Sequence, residues 1–560
     1  MAQSDGGLRP ALKAMALAWA SQDPDAETRD ALMALVEAAE GGDKPALAEL
    51  TDAFAGPLTF GTAGLRAALG PGPARMNRVV VTQAAAGFAD WLLSTGGVAA
   101  GATVLIGYDA RHKSADFARD TAEVMAAAGL YPILTAQPTP TPVVAFGVVH
   151  FGCAAGVQVT ASHNPAQDNG YKVYLGDGSQ IVPPTDAQIA DCIAARAAAP
   201  LADIKRLADY RLIDDELADA YTARVAGLVA DADVRDVVWA YTAMHGVGAK
   251  TVHRVVEAAH LAAPYLVEEQ VNPDPAFPTV PFPNPEEPGA MDLVMTLAES
   301  RGADIAIATD PDADRCAAAV PVDGTWRRLT GDEIGGLLGD YAMRRGTTGT
   351  FAASIVSSTL LGTMAKANHR RFAATLTGFK WIGRVPHLAF GYEEAIGYCC
   401  DPATVRDKDG ISATVMLLRL TAELKSQGLT IADRLTQIDK TYGVHATVQQ
   451  SVRVAKLSQI GDMMARLRAA PPAELAGEPV KTVDLLVGGH LPPTDAMLFS
   501  GLTVRVVVRP SGTEPKLKCY LEARRPVEEA GRNIVASRAV AAQTLDTLWR
   551  EIEQILDPPR

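Results

Sequence analysis

Gly156-Val157-Gln158-Val159-Thr160-Ala161-Ser162-His163-Asn164-Pro165 runs from a short apolar stretch straight into a turn. Its first five residues read as a buried strand, and Asn164-Pro165 is a turn signal directly after it. A strand ending in a turn presents Ser162 at the carboxyl edge of a sheet, where open α/β folds hold ligands. The same pattern recurs along the chain. Thr103-Val104-Leu105-Ile106-Gly107-Tyr108 leads into Asp109-Ala110-Arg111, and Val237-Val238-Trp239-Ala240-Tyr241 leads into Met244-His245-Gly246-Val247-Gly248. Asp304-Ile305-Ala306-Ile307-Ala308 leads into an acidic loop. Alanine-rich helical stretches separate these strands, an alternation that implies α/β units with mixed, mostly parallel sheets.

The last region is different. Val504 to Val508 and Leu517 to Ala523 flank a turn and read as an antiparallel hairpin. A chain of 560 residues exceeds one core, and its length corresponds to roughly three to five domains. The expected architecture is three consecutive α/β domains and a C-terminal α+β domain around a central cleft. Boundaries are placed at 1–203, 204–323, 324–441 and 442–560. Before Asp43, Leu12, Met15 and Trp19 fall at helical spacing, Asp23-Pro24-Asp25 ends that run, and a second helix is expected from near Thr28. The proline-rich stretch 272–288 reads as a long loop.

Composition narrows the function classes. The chain is 48% hydrophobic, and its most apolar window, residues 143–159, is interrupted by His150 and several glycines, so no membrane span is expected. The N-terminus shows no basic region followed by an apolar stretch and a cleavage site, which predicts a cytoplasmic location. Six cysteines without C-x-x-C spacing fit reduced core thiols. A net charge of −14 argues against nucleic acid or an acidic membrane as partner. A small anionic substrate remains compatible, provided that basic groups cluster locally. A monomer or small homo-oligomer is expected.

Asp310-Pro311-Asp312-Ala313-Asp314-Arg315 places carboxylates at alternate positions. Read as extended chain, it points all three the same way, and such a cluster calls for a cation. Oxygen ligands select magnesium, calcium or manganese over zinc. An EF-hand is excluded, because Arg315 stands where that loop needs glycine and Pro321 where it needs glutamate. Arg509-Pro510-Ser511-Gly512-Thr513-Glu514-Pro515-Lys516 gathers a guanidinium, two hydroxyls, a glycine and an ammonium, the makings of a phosphate nest. No G-x-x-x-x-G-K-[ST] occurs, nor a G-x-G-x-x-G that opens a helix after a strand, so kinase and dehydrogenase readings lack support.

Taken together, the serine loop, the aspartate loop, the 509–516 cluster and two further stretches resemble the α-D-phosphohexomutase superfamily of phosphoglucomutases and phosphomannomutases. The resemblance runs from about Leu58 to near Glu522. It implies that Ser162 carries the transferable phosphoryl group, and that Asp310, Asp312 and Asp314 hold Mg2+ with a phosphoserine oxygen as fourth ligand. Arg66, in Phe60-Gly61-Thr62-Ala63-Gly64-Leu65-Arg66, would lie near the reacting phosphate, and Arg315 near metal and sugar phosphate. Arg509, Ser511, Gly512 and Thr513, with Lys516, would grip the non-reacting phosphate. Glu393, in Gly391-Tyr392-Glu393-Glu394-Ala395-Ile396-Gly397, would bind ring hydroxyls, with Thr377 and Gly378 orienting the sugar. Lys172 and Lys408 match lysines that face the substrate, and with Arg66 they are candidates for acid–base work. His163 is a titratable neighbour of the serine; His245 is read as a loop histidine.

Two departures stand out: Ala67 where the family often has glycine, and Ala395 where many relatives have serine. The second fits a longer branch that includes phosphopentomutases. The resulting expectation is interconversion of glucose 1-phosphate and glucose 6-phosphate, with glucose 1,6-bisphosphate as primer and intermediate. Phosphomannomutase and phosphopentomutase stay open. A magnesium-dependent sugar phosphatase and a non-catalytic sugar-phosphate sensor are the rivals from other classes.

Overall fold

Three helices open the chain, at Pro10–Gln22, Ala26–Glu40 and Lys44–Ala53. Asp25 caps the second by accepting from the Glu27 N–H, so it begins at Ala26 and not near Thr28. The third was not anticipated; Asp43 caps it through the Ala46 N–H. Leu32, Val36 and Leu50 are buried between the three, each burial contributing about 2 kcal/mol. The computed structural model describes residues 7–454, 457–487, 489–511 and 516–556. The chain divides into one unit of residues 1–318 and 401–419 and another of residues 319–400 and 420–560.

In the first unit, strands β1 (Leu65–Ala68), β2 (Thr103–Tyr108), β3 (Tyr131–Thr135), β4 (Ala155–Val159), β5 (Asp168–Leu175) and β6 (Arg211–Ile213) form one sheet. Its order is β1-β5-β4-β2-β3-β6. β2 is parallel to β3 and β4, whereas β5 is antiparallel to β1 and β4. Because β2 and β4 run the same way, Asp109 and Ser162 emerge at one edge. Val104, Ile106, Val157 and Val159 are buried on one face of the sheet and Leu105 on the other, which explains why these strands are apolar on both faces.

A second sheet holds β7 (Trp239–Thr242), β8 (Tyr265–Leu266), β9 (Ile305–Thr309) and β10 (Cys316–Val322), ordered β10-β9-β7-β8. β7 and β9 are parallel, so the turn after Thr242 and the aspartate loop after Thr309 share an edge. Residues 401–419 return to this unit. Tyr174 donates to Asp407 at 2.9 Å and Tyr221 to Asp409 at 2.8 Å, which ties the returning segment down.

In the second unit, β11 (Thr325–Arg328) turns back on the end of β10. A sheet ordered β13-β12-β14-β15 follows, from β12 (Thr350–Ser354), β13 (Arg371–Thr375), β14 (Leu388–Glu393) and β15 (Gly397–Cys399). β12, β13 and β14 are parallel and end at one edge. The C-terminal part is antiparallel, as expected. Its five strands β16 (Val444–Arg453), β19 (Lys481–Asp484), β20 (Met497–Ser500), β21 (Val504–Pro510) and β22 (Lys516–Arg525) are ordered β16-β22-β21-β20-β19, beside a small hairpin of β17 (Glu474–Leu475) and β18 (Glu478–Pro479). Ser511 donates its N–H to the Lys516 carbonyl and closes the β21–β22 hairpin. All six cysteines are free thiols.

Asp332, in the first turn of helix Gly331–Arg344, is a buried carboxylate in this unit. It accepts from Ser358 N at 2.7 Å, Tyr392 OH at 2.9 Å and Thr447 Oγ1 at 2.8 Å. Burial nevertheless pushes its pKa up, from 3.8 to about 6. The folded state therefore keeps a proton that the unfolded chain releases. The resulting stability, about 3 kcal/mol, is complete below about pH 4 and is lost as pH rises through about 6. Asp409, raised to about 6 by burial, contributes with the same sign. D332N, which cannot ionise, is expected to fall less in thermal midpoint than wild type between about pH 4.5 and pH 7. Superimposable pH profiles would show this assignment to be wrong.

Candidate active site

Ser162 sits at the turn after β4 with φ of 53°, in the left-handed region that a serine adopts only under constraint. Two contacts supply that constraint. Thr160 Oγ1 accepts from Ser162 N at 2.8 Å. The Arg111 guanidinium donates to four carbonyls of the loop, those of Ser162 (2.6 Å), Asn164 (2.5 Å), Pro165 (2.7 Å) and Asp168 (3.2 Å). Arg111 is held in turn by Asp109 at 3.3 Å. From sequence, Asp109 and Arg111 stand only as the continuation of β2, without a role. Their position at a strand end, beside the serine strand, was the available signal.

The Ser162 hydroxyl donates to Asp310 Oδ2 at 3.0 Å, and His163 Nδ1 lies 3.5 Å from it. Burial, with Arg315 and Arg66 adding to it, pushes the His163 pKa well below the usual value, so the ring is neutral near pH 7. Arg66 lies on β1 opposite Gly170 of β5 and donates to Asn164 Oδ1 at 3.1 Å. Gly64 makes that approach possible: at φ of 75°, a Cβ there would lie 1.8 Å from the Tyr171 carbonyl oxygen.

Asp310, Asp312 and Asp314 are fully buried, and they offer ligand oxygens that all lie within 4.8 Å of one another. The extended reading of this loop is corrected. Ala313 N–H bonds to the Asp310 carbonyl at 2.8 Å and Ala313 has φ of 57°, so the carboxylates converge through a tight turn. Lys172, on β5, donates to Asp312 at 2.7 Å and Asp314 at 2.8 Å; Lys408 reaches Asp314 at 3.4 Å. Arg315 Nε lies 3.7 Å from Asp314 and 3.9 Å from Asp310. Burial alone would raise Asp314, but Lys172, Lys408 and Arg315 outweigh it and hold its pKa far below the ordinary range. Asp310 goes the other way: burial and the charges of Asp312 and Asp314 push it well up. Burial disfavours the Lys172 ammonium, yet Asp312 and Asp314 prevail and raise its pKa.

The donor set fits a hard divalent cation. Asp312 Oδ1 and Asp314 Oδ1 are buried without a hydrogen-bond partner, an arrangement costly unless something positive faces them. A phosphoserine at position 162 would bring about two negative charges to this spot, a load that a cation of charge two offsets.

In the second unit, Glu393 ends β14, while Thr377 and Gly378 follow β13, so all three lie at the shared edge of the parallel strands. Glu394 Oε2 accepts from Ser354 at 2.9 Å and Ser357 at 3.0 Å, a structural engagement with the loop after β12. Arg509 lies near the end of β21, Ser511 follows it, and Lys516 begins β22. Gly512 and Thr513 lie outside the described residues.

The fold and site define an α/β protein that presents a constrained serine to a carboxylate triad set among cationic side chains. Four family models match in order: phosphoglucomutase/phosphomannomutase alpha/beta/alpha domain I over residues 57–199, domain II over 219–323, domain III over 330–441, and the C-terminal domain over 451–537. The chain belongs to the phosphoglucomutase/phosphomannomutase family. It is 47% identical over 459 residues to a Haemophilus influenzae protein named "Probable phosphomannomutase", covering 80% of this chain and 93% of that one. A Schizosaccharomyces pombe "Probable phosphoribomutase" is 36% identical over 562 residues, covering 92% and 94%. The solved structure of a phosphoglucomutase/phosphomannomutase family protein from Burkholderia thailandensis shares the fold, with a TM-score of 0.68 over 89% of this chain and 98% of that one at 19% identity.

Proposed function

We propose that the protein is a magnesium-dependent phosphosugar mutase that interconverts glucose 1-phosphate and glucose 6-phosphate. The observation that carries this reading is the Ser162 hydroxyl 3.0 Å from Asp310, at a buried three-carboxylate turn lined by lysine and arginine. Phosphorylated Ser162 gives its phosphoryl group to the free hydroxyl of the bound sugar. The sugar oxygen bonds to phosphorus as the bond to Ser162 Oγ breaks, and a 1,6-bisphosphate results. After the bisphosphate turns over in place, its other phosphoryl group returns to Ser162. Glucose 1,6-bisphosphate primes the serine.

The transition state gathers charge on the equatorial phosphoryl oxygens, and Lys172, Lys408, Arg66 and Arg315 are placed to stabilise it. The sugar hydroxyl gives up its proton as its oxygen bonds to phosphorus, and the departing serine oxygen takes one up; Lys172, Lys408 and Arg66 are the candidates for this acid–base work. Magnesium held by Asp310, Asp312 and Asp314 would offset phosphoryl charge. Arg509, Ser511 and Lys516, with Gly512 and Thr513, bind the phosphate that does not react, and Glu393, Thr377 and Gly378 contact the sugar. R509Q is accordingly expected to raise KM roughly 10- to 100-fold, the worth of a charged hydrogen bond. Steady-state kinetics check this, and an unchanged KM would remove Arg509 from the substrate site.

A second reading, for ribose phosphates, is favoured by Ala395 and by a relative named phosphoribomutase, and one for mannose phosphates by a relative named phosphomannomutase. Coupled assays with glucose, mannose and ribose 1-phosphates, run with magnesium and the matching bisphosphate, decide between them. Intact mass shows whether one phosphoryl group is added. Preference for ribose 1-phosphate would replace the glucose assignment, and release of inorganic phosphate without sugar interconversion would replace the mutase reading by a phosphatase.

A further inference from the structure

The proline-rich stretch lies against the serine loop. Phe277, 3% exposed, places its ring 4.9 Å from the guanidinium carbon of Arg111, the side chain that holds four carbonyls of that loop. Phe282 lies with its ring 6.5 Å from that of His163. Two aromatic side chains of one loop thus touch the two groups flanking Ser162. A cation over an aromatic face gains most when both are shielded from water, as here: Arg111 is 4% exposed.

The loop is also anchored from beneath. Thr279 Oγ1 shares a hydrogen bond with His245 Nε2 at 2.8 Å and accepts from Gln270 Nε2 at 2.8 Å. Gln270 is fixed by Thr242 at 2.6 Å, and the Asp274 N–H bonds to the His245 carbonyl at 3.0 Å. Met244 and His245 both adopt left-handed backbone, with φ of 48° and 59°. The same turn braces the aspartate loop, since Val247 N–H bonds to the Pro311 carbonyl at 2.8 Å. A Cβ on Gly246 would stand 2.3 Å from Pro311 Cα, so the two loops pack without room for a side chain. The turn 244–247, in which His245 reads from sequence as an ordinary loop residue, is the joint between both: His245 holds the proline-rich loop, and Gly246 and Val247 meet Pro311.

We propose that residues 272–284 form a fixed cover in which Phe277 and Phe282 position Arg111 and His163, and so protect phosphorylated Ser162 from water. The proposal rests on the phosphoserine mutase reading above. The cover determines how the phosphoenzyme partitions between transfer to a sugar and hydrolysis. In hydrolysis a water oxygen bonds to phosphorus while the bond to Ser162 Oγ breaks, the serine oxygen takes up a proton, and inorganic phosphate leaves. With the cover loosened, the serine loop relaxes and water reaches the phosphorus.

The test uses full-length wild type and the variants F277L, F282A and T279V, charged with glucose 1,6-bisphosphate. T279V releases the anchor without altering either ring. Phosphate release and sugar interconversion are measured in the same samples. Each variant is expected to release roughly 3- to 10-fold more phosphate per mutase turnover than wild type. A variant that is merely less well folded loses both rates by one factor and leaves the ratio unchanged, so unchanged ratios in all three variants overturn the proposal. Wild type that never takes up a phosphoryl group by intact mass overturns the mutase reading itself, a result distinct from an unaltered ratio.

Discussion

Ser162→Ala is expected to abolish phosphoryl uptake and to lower mutase turnover by about 10^4-fold or more, the scale set by removing a covalent nucleophile. The loss should fall on kcat. The sugar-phosphate contacts are assigned to Arg509 and Glu393 and not to Ser162, so equilibrium binding of substrate should change little. Folding should survive as well. Arg111 and Thr160 hold backbone atoms of the serine loop, and what disappears is the hydroxyl's bond to Asp310 and its 3.5 Å contact with His163 Nδ1, together worth about 1–2 kcal/mol. Intact mass after incubation with glucose 1,6-bisphosphate, paired with a coupled assay, gives the answer. An alanine variant that turns over at the wild-type rate would rule out the phosphoserine mechanism.

Removal of the divalent cation should have the next largest effect. Chelation is expected to cut turnover at least about 100-fold, restored by magnesium, because the transferring phosphoryl group would lose several kcal/mol of charge compensation. A structural readout accompanies it. Magnesium at about 100 times its dissociation constant should stabilise the folded protein by about 3 kcal/mol, visible as a higher thermal midpoint. D314N should lose most of that stabilisation. Its substitution removes a charge from the turn while Lys172 keeps Asp312 as partner. Full activity after exhaustive chelation, or a magnesium-induced shift in D314N equal to that of wild type, would contradict the assignment.

Much of this site was legible in the linear chain because its parts are local. The strand before Ser162, the three aspartates at alternate positions and the hairpin at 504–523 each announce themselves within about twenty residues. The departures from expectation also have local causes. The third N-terminal helix follows the Gly41-Gly42 break closely and carries Pro45 at its start, so its signal merges with that of its neighbour. The i, i+2 spacing of the aspartates suits an extended strand; the left-handed Ala313 shows that a turn achieves the same convergence.

The partners of those local parts were not legible. Lys172 and Asp312 are separated by 140 positions, and Thr141, which donates to Asp312 at 2.6 Å, by 171. Arg111 reaches the serine loop across 51 positions, and Phe277 comes to it from another sheet's connection. Nor could the order of residues tell which of two adjacent glutamates is tied to Ser354 and Ser357. By itself the order of residues determined which short segments turn, extend or coil, and which of them carry oxygen ligands and a nucleophile, since those depend on near neighbours. Only the tertiary structure decided which cations neutralise the carboxylates, which side chain locks Ser162 in its left-handed turn, and which aromatic rings lie over that lock. Such contacts exist only where strands distant in sequence, parallel β4 and β2 and antiparallel β5 among them, are set side by side, and that registry is a property of the packed sheets.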